Sequence, residues 1–449
     1  MTRLPLIGND ALDTVLSWEF GRPVRAAQYL HDVQQLAKRL PSTKAILNIC
    51  ENRYNFLVCL GAGLVRNQPN VMPPSTAPEA LADVATEVPD LCCVSDGVAC
   101  PETIACVDLT HRSGPGAYEG PIPAFTADQI AAVVYTSGST GKPVAHPKRW
   151  GEMVAGARIT GRRLGLGEFS GGSIVATVPP QHMFGLETTV FLPLTWGIAV
   201  DTARPFFCGD LAASLEQVSA PRILVTTPIH IRACITERVH LPPVAFILSA
   251  TAPLPQELAE TAEKRFGCPV LEIYGSTETG AMATRRTAAG IAWHVQDGFD
   301  LKQSTKGWTV TAEHLLGPVP LGDQISAGET SGTFLLQGRA SDLFKIGGKR
   351  GSLGDLNHKL TQIDGVVDGV FVVPEQDTDG SRASRLAALV VAPGRTESQI
   401  LSALREKIDP VFLPRPLRIV DELPRNATGK LARESLLRLL DKDRRRKIN

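Results

Sequence analysis

A dense run of small hydroxyl residues and glycines, Tyr135-Thr136-Ser137-Gly138-Ser139-Thr140-Gly141-Lys142-Pro143, follows directly on the apolar, strand-like stretch Ile130 to Val134. No other feature restricts the chain as much. Glycines at 138 and 141 let backbone N–H groups crowd around an anion, while Thr136, Ser137, Ser139 and Thr140 add short donors and a candidate magnesium ligand. A loop so composed is built to hold phosphate, although on its own it is also readable as a polar surface turn. It is not a Walker A motif, because Gly138 and Gly141 are too close together and no Ser or Thr follows Lys142. The ordinary P-loop NTPases are thereby excluded.

With 449 residues, 43% of them hydrophobic, the chain is too long for one ordinary core, so two or more domains are expected. Lys plus Arg and Asp plus Glu balance at 46 each, which argues against a nucleic-acid or membrane-surface protein. Nine cysteines without paired C-x-x-C spacing predict a reducing compartment rather than a disulfide scaffold. Cys92, Cys93, Cys100 and Cys106 cluster in sequence, but their irregular spacing predicts buried free thiols rather than a zinc site. No apolar run reaches the ~18 residues of a transmembrane helix, and the segment MTRLPLIGND has no continuous apolar leader. The expectation is a soluble cytoplasmic enzyme.

Strand-like runs at Ser173 to Val178, Ile223 to Thr227, Ala245 to Ser249 and Pro269 to Ile273 alternate with helix-like segments such as Leu254 to Phe266, the signature of parallel α/β sheets. In that helix Leu254, Leu258 and Ala262 recur every four residues, Glu257, Glu260, Glu263 and Lys264 supply the polar face, and Gly267 is the stop signal. The stretch Ser113 to Pro123, rich in Pro and Gly, reads as a loop. Beyond Ala340 to Ser341 the pattern changes: strands are expected at Val366 to Val373, Leu386 to Val391 and Leu417 to Val420, and a helix at Glu397 to Ile408. Residues 341–449 hold 20 Lys and Arg against 15 Asp and Glu, so this part is the basic one. Arg444-Arg445-Arg446-Lys447 supply four of the cations, read either as a solvated helix end or as a dock for an acidic partner.

The hydroxyl loop resembles the phosphate-binding signature of the acyl-adenylate-forming superfamily, which contains acyl-CoA synthetases, aryl-acid ligases, luciferases and the adenylation domains of peptide synthetases. Four further segments match in the superfamily's order. Tyr274-Gly275-Ser276-Thr277-Glu278 resembles the segment whose tyrosine stacks on adenine, whose threonine meets the α-phosphate and whose glutamate holds magnesium. Asp323 and Arg339 stand the family's sixteen positions apart and match its ribose-binding pair. The run Gly338 to Arg350 resembles the interdomain signature, and Leu423 to Lys430 the motif that ends in the catalytic lysine.

The resemblance implies an α/β fold: a large N-terminal adenylation core with parallel-rich sheets, residues 1–340, and a small mobile α+β lid, residues 341–449, that carries Lys430. It implies ATP and magnesium as cofactors, with Glu278 and Thr140 toward the metal. Lys430, Thr277, Glu278 and His182 take the catalytic roles, and Thr136 to Gly141, Tyr274 to Ser276, Asp323 and Arg339 bind nucleotide. His182 in Pro179-Pro180-Gln181-His182-Met183-Phe184-Gly185 resembles the segment that borders the acid pocket, where a buried core histidine is the rival reading. Phe184, Gly185 and the small residues Ser249, Ala250, Thr251 and Ala252 would complete a pocket with room for a flat acid. Gly348 matches the glycine beside the thiol tunnel. Two departures stand out: the hinge position is Ser341 where Asp or Lys is usual, and Val144 replaces the lysine that follows the loop's proline in many relatives, with Lys148 further on.

A short chain with this loop variant looks like the stand-alone ligases of aryl polyene pigment pathways, which load hydroxyaryl acids onto the phosphopantetheine of an acyl carrier protein. That is the expected function. An aryl- or medium-chain acyl-CoA ligase and a non-catalytic nucleotide-binding regulatory protein stay open as alternatives.

Overall fold

In the computed structural model of the protein the described residues are 2–8, 11–112, 114, 116, 118–137, 143–305, 307–339, 343–346, 349–373, 385–425, 431 and 433–446. The chain forms two compact units, one of Met1–Leu301 with Val310–Val319 and the other of Lys302–Thr309 with Pro320–Asn449.

The larger unit is organised by a helix with no polar face. Arg53–Arg66 is buried from Arg53 through Leu64, and such a helix needs neighbours all round. Asn52 caps its start by accepting from the N–H groups of Tyr54 and Asn55, and Asn67 ends it in the left-handed conformation at φ 54°. Gly61 is required by close packing, since a Cβ there would stand 2.6 Å from Val33 Cγ2. Its apolar side chains join one core cluster that includes Ile46 and Val134 from one sheet and Ile174, Val225 and Leu248 from a second.

The first sheet runs Pro143–Arg149, Ile130–Ser137, Asn70–Met72, Ala45–Asn48, Leu91–Ser95, Ala105–Asp108. Its strands are parallel except for the outer hairpin that Ile130–Ser137 makes with Pro143–Arg149. In the second sheet Ala199–Asp201, Ser173–Ala176, Arg222–Thr226, Phe246–Ser249 and Val270–Ser276 are parallel neighbours, after which Gly280–Arg286 and Trp293–Val295 continue antiparallel. The expected alternation of strands and helices is therefore present. The helix expected from Leu254 spans Gln256–Phe266, because Pro255 caps it; Leu254 lies outside it, buried, with its N–H on Glu272.

In the smaller unit Asp323–Ala327 pairs antiparallel with Thr333–Arg339. A second group joins Asp368–Val372, Ala387–Val391 and Leu417–Ile419 to the helices Leu353–Thr361 and Glu397–Lys407 around Leu360, Phe371, Val390 and Leu404. Thr396 starts the latter helix with a reciprocal capping box to Gln399. Arg433–Arg446 forms the last described helix.

The cysteine expectation is corrected in part. Cys92 and Cys93 are buried free thiols, and burial pushes Cys93 up to about 12. Cys100 and Cys106, however, are joined as a disulfide. The cause is strand register: Cys106 is the parallel partner of Cys93, and the connection between the strands returns Cys100 to within 6.3 Å of Cys106, Cα to Cα. Among the described residues no helix is long and apolar enough to cross a membrane.

Candidate active site

The carboxyl ends of adjacent parallel strands gather most of the expected acid-pocket residues. Ser173–Ala176 leads into Pro179 to His182, Phe246–Ser249 into Ala250 to Ala252, and Val270–Ser276 itself carries Tyr274 to Ser276. Open α/β sheets bind ligands at such an edge. His182 is partly exposed and stands at the start of the short helix Met183–Leu186, which runs on into the π-helical turn Glu187–Phe191. Gly185 is fixed by contact, because a Cβ there would lie 1.9 Å from the Pro179 carbonyl oxygen. Phe184 is partly buried against the main core.

The small-residue wall is strained as well as small. Thr251 adopts φ 78°, a left-handed conformation costly for a β-branched residue, and such strain concentrates at functional sites. The hydroxyls of Ser249 and Thr251 are both buried and unpartnered among the described residues. Tyr274 is half-buried, its ring centroid 5.5 Å from that of Trp293. The Arg285 guanidinium lies 4.3 Å over the Trp293 ring and donates through Nε to Glu272 at 2.8 Å, which fixes the stack from behind. Gly275 admits no side chain, since its Cβ would meet the Gly280 carbonyl oxygen at 2.0 Å.

Thr277 and Glu278 occupy the turn between the antiparallel partners Ser276 and Gly280. Thr279 Oγ1 accepts from the Ser276 N–H at 3.1 Å and donates to the Gly280 carbonyl at 2.8 Å, closing the turn, and Gly280 takes φ 68°. Glu278 is half-exposed. Burial raises its pKa, but the Ser276 hydroxyl, its own backbone N–H, His146 and Lys148 outweigh burial and hold it below the ordinary glutamate value. An ionised, accessible carboxylate is a fitting oxygen ligand for a hard cation.

Thr136 and Ser137 end one strand of the outer hairpin, with Val144 opposite Thr136. Two residues on the return strand reach the Glu278 turn, and the sequence reading assigned neither a role. His146 Nε2 lies 3.0 Å from Thr136 Oγ1, and its Nδ1 lies 3.8 Å from Glu278 Oε1. Lys148 Nζ donates to the Glu278 carbonyl at 3.3 Å. Strand periodicity was the available signal, since residues 146 and 148 must share a face. His230, held by Thr227 at 2.9 Å at the carboxyl end of Arg222–Thr226, was also missed; burial lowers its pKa, favouring the neutral imidazole.

Asp323 and Arg339 are directly opposed partners across their hairpin, which gives the interval of sixteen a structural meaning. Gly138, Ser139, Thr140, Gly141, Ser341, Gly348 and Lys430 lie outside the described residues.

Residues 43–311 match the family described as AMP-binding enzyme, and residues 359–430 match the AMP-binding enzyme C-terminal domain. The chain is 28% identical over 312 residues to a 4-coumarate–CoA ligase of Rhodobacter capsulatus, covering 68% of this chain and 76% of that protein. It is 28% identical over 402 residues to a sulfoacetate–CoA ligase of Cupriavidus necator, covering 80% and 75%. Among solved structures, the O-succinylbenzoate coenzyme A synthetase of Bacillus subtilis in complex with ATP and magnesium ion superposes with a TM-score of 0.81 at 18% identity, covering 96% of this chain and 99% of that one.

Proposed function

Because the chain belongs to the AMP-binding enzyme family and is an AMP-forming acid–thiol ligase, we propose that it activates an aryl carboxylic acid of the hydroxybenzoate or hydroxycinnamate type and passes it to the phosphopantetheine thiol of an acyl carrier protein. The carrying observation is that His146 links Thr136 of the hydroxyl loop to the carboxylate of Glu278. That meeting of the hydroxyl-loop strand end with an ionised carboxylate supports reading the two as one site for phosphate and its cation.

In the first half-reaction a carboxylate oxygen of the acid attacks the α-phosphorus of ATP, the bond to the bridging oxygen breaks, and pyrophosphate leaves. In the second, the thiol sulfur attacks the acyl carbon, its proton is lost, and AMP departs. Glu278, with Thr140, would hold magnesium, which neutralises phosphate charge. Tyr274 packs on adenine, Asp323 and Arg339 hold ribose, and Lys430 bridges the carboxylate and the α-phosphate. Residues 341–449 serve as the mobile lid, with Ser341 at its hinge and Gly348 along the path of the thiol.

The small wall at Ser249 to Ala252 supports a flat acid, as does similarity to a 4-coumarate–CoA ligase. The excess of cations on residues 341–449 favours an acidic protein acceptor, because opposite charge speeds encounter. The names of the relatives favour free CoA as a second reading. The test offers the adenylated enzyme equal, subsaturating amounts of phosphopantetheinylated carrier protein and CoA, with acyl transfer followed by intact mass. Faster loading of a cognate carrier, slowed by neutralising Arg444, Arg445 and Arg446 while pyrophosphate exchange persists, is the expected result. Preferential acyl-CoA formation moves the assignment to the CoA ligase.

A further inference from the structure

We infer that Lys148 is a positioning residue for the nucleotide site, a buried cation that holds the Glu278 turn against the hydroxyl hairpin. The inference rests on the reading above that Glu278 belongs to the magnesium–nucleotide site.

Lys148 does not take the place of the loop lysine that is missing at Val144. Its side chain is 3% exposed, and its ammonium is engaged inside the protein. Nζ lies 2.6 Å from Glu152 Oε1 in the first turn of the helix Trp150–Arg163 and donates to the Glu278 backbone carbonyl at 3.3 Å. One ammonium therefore ties together the return strand of the hairpin, the helix that follows it and the turn between Ser276 and Gly280. A register shift between Lys148 and Arg149 marks where the strand gives way to the helix.

A second carboxylate completes the arrangement. Glu187, from the π-helical turn, accepts the Ala281 N–H at 2.9 Å, three residues beyond Glu278, and it also senses the Lys148 charge. Lys148 Nζ thus has two attachments, the Glu152 carboxylate and the Glu278 carbonyl, and its charge acts on Glu187 without a direct bond. His146, two positions earlier on the same strand face, reaches the Glu278 side chain. Backbone and carboxylate of Glu278 are held by adjacent same-face residues of one strand. Outer contacts of this kind set the orientation, and so the affinity, of a metal ligand.

Calorimetric titration of the full-length protein with ATP, with magnesium and separately with EDTA, separates positioning from simple stability. Lys148→Met leaves Glu152 enclosed without its cation and is expected to lower the melting temperature. Lys148→Met combined with Glu152→Gln removes both charges and is expected to melt near the wild-type value, yet to bind MgATP roughly 10- to 100-fold more weakly, the usual scale for loss of an outer contact. Affinity for ATP in EDTA should be unchanged. Glu152→Gln alone keeps the bond to the Glu278 carbonyl and should retain wild-type MgATP affinity.

Wild-type MgATP affinity in the double variant would overturn the inference. So would a loss of MgATP affinity in Glu152→Gln equal to that in Lys148→Met, a comparison of single variants that decides the matter even if the double variant fails to fold. Failure of the wild-type protein to bind MgATP at all would instead defeat the adenylation reading beneath it.

Discussion

Glu278 Oε1 lies 3.8 Å from His146 Nδ1, and the other nitrogen of that ring lies 3.0 Å from Thr136 Oγ1. The end of the hydroxyl-loop strand and the Glu278 carboxylate, separated by more than a hundred residues of sequence, are thereby held by one imidazole. The hydroxyl hairpin and the Glu278 turn behave as one device on this account.

Substituting Glu278→Gln keeps the shape of the turn and removes the charge. It is expected to raise the magnesium concentration for half-maximal pyrophosphate exchange by about 10- to 100-fold, with the KM for the acid little changed. A magnesium titration at fixed ATP measures this. A loss of rate that does not respond to added magnesium would remove Glu278 from the metal site.

Lys430→Ala is expected to slow adenylation by roughly 10²–10³-fold, the scale for removing one preorganised electrostatic donor. Thioester formation from a presynthesised acyl-adenylate should be far less affected if, as proposed, residues 341–449 act as a lid that carries Lys430 away for that step. Single-turnover assays of the two half-reactions make the comparison. Equal loss in both would argue against an alternating lid.

Burial pushes Glu187 up to about 7, against the opposing effects of the Ala281 N–H and Lys148. Its proton is held more tightly in the folded than in the unfolded chain, so its stabilising contribution is complete below the ordinary glutamate range and is lost as pH rises toward 7. Glu187→Gln does not titrate. Relative to wild type it should gain about 1–3 kcal/mol between pH 5 and pH 8, read from urea midpoints at each pH. A pH-independent difference between the two proteins would show that Glu187 titrates normally.

The disulfide between Cys100 and Cys106 leaves seven of the nine cysteines free. Protein prepared without reductant and unfolded in guanidinium should therefore show seven reactive thiols, and nine after reduction. Nine before reduction would contradict the bridge.

The elements that carry the candidate site were legible in sequence wherever one segment sets its own geometry. The hydroxyl loop after an apolar run reads as a strand-end connection, and the strands that flank it, Ile130–Ser137 and Pro143–Arg149, are antiparallel partners. The interval from Asp323 to Arg339 is the register of one antiparallel pair. What escaped depends on elements that meet only in three dimensions. Lys148 draws its meaning from Glu152, Glu187 and the Glu278 carbonyl, and no spacing rule links a helix start, a π-turn and a distant hairpin. Cys100 and Cys106 were expected as free thiols because their pairing follows from the register of two parallel strands and the loop between them. The left-handed backbone of Thr251 was hidden for a different reason, since a β-branched residue is the last expected at positive φ.

Whether the protein adenylates an aryl acid is measured by ATP–pyrophosphate exchange across a panel of benzoates, cinnamates, straight-chain fatty acids and a short sulfonated acid. Exchange is expected only when a carboxylic acid is added, fastest with a hydroxybenzoate or hydroxycinnamate. Faster exchange with octanoate, a longer fatty acid or sulfoacetate than with every aryl acid would contradict the pocket assignment, and exchange with no acid present would contradict adenylation of a carboxylate altogether.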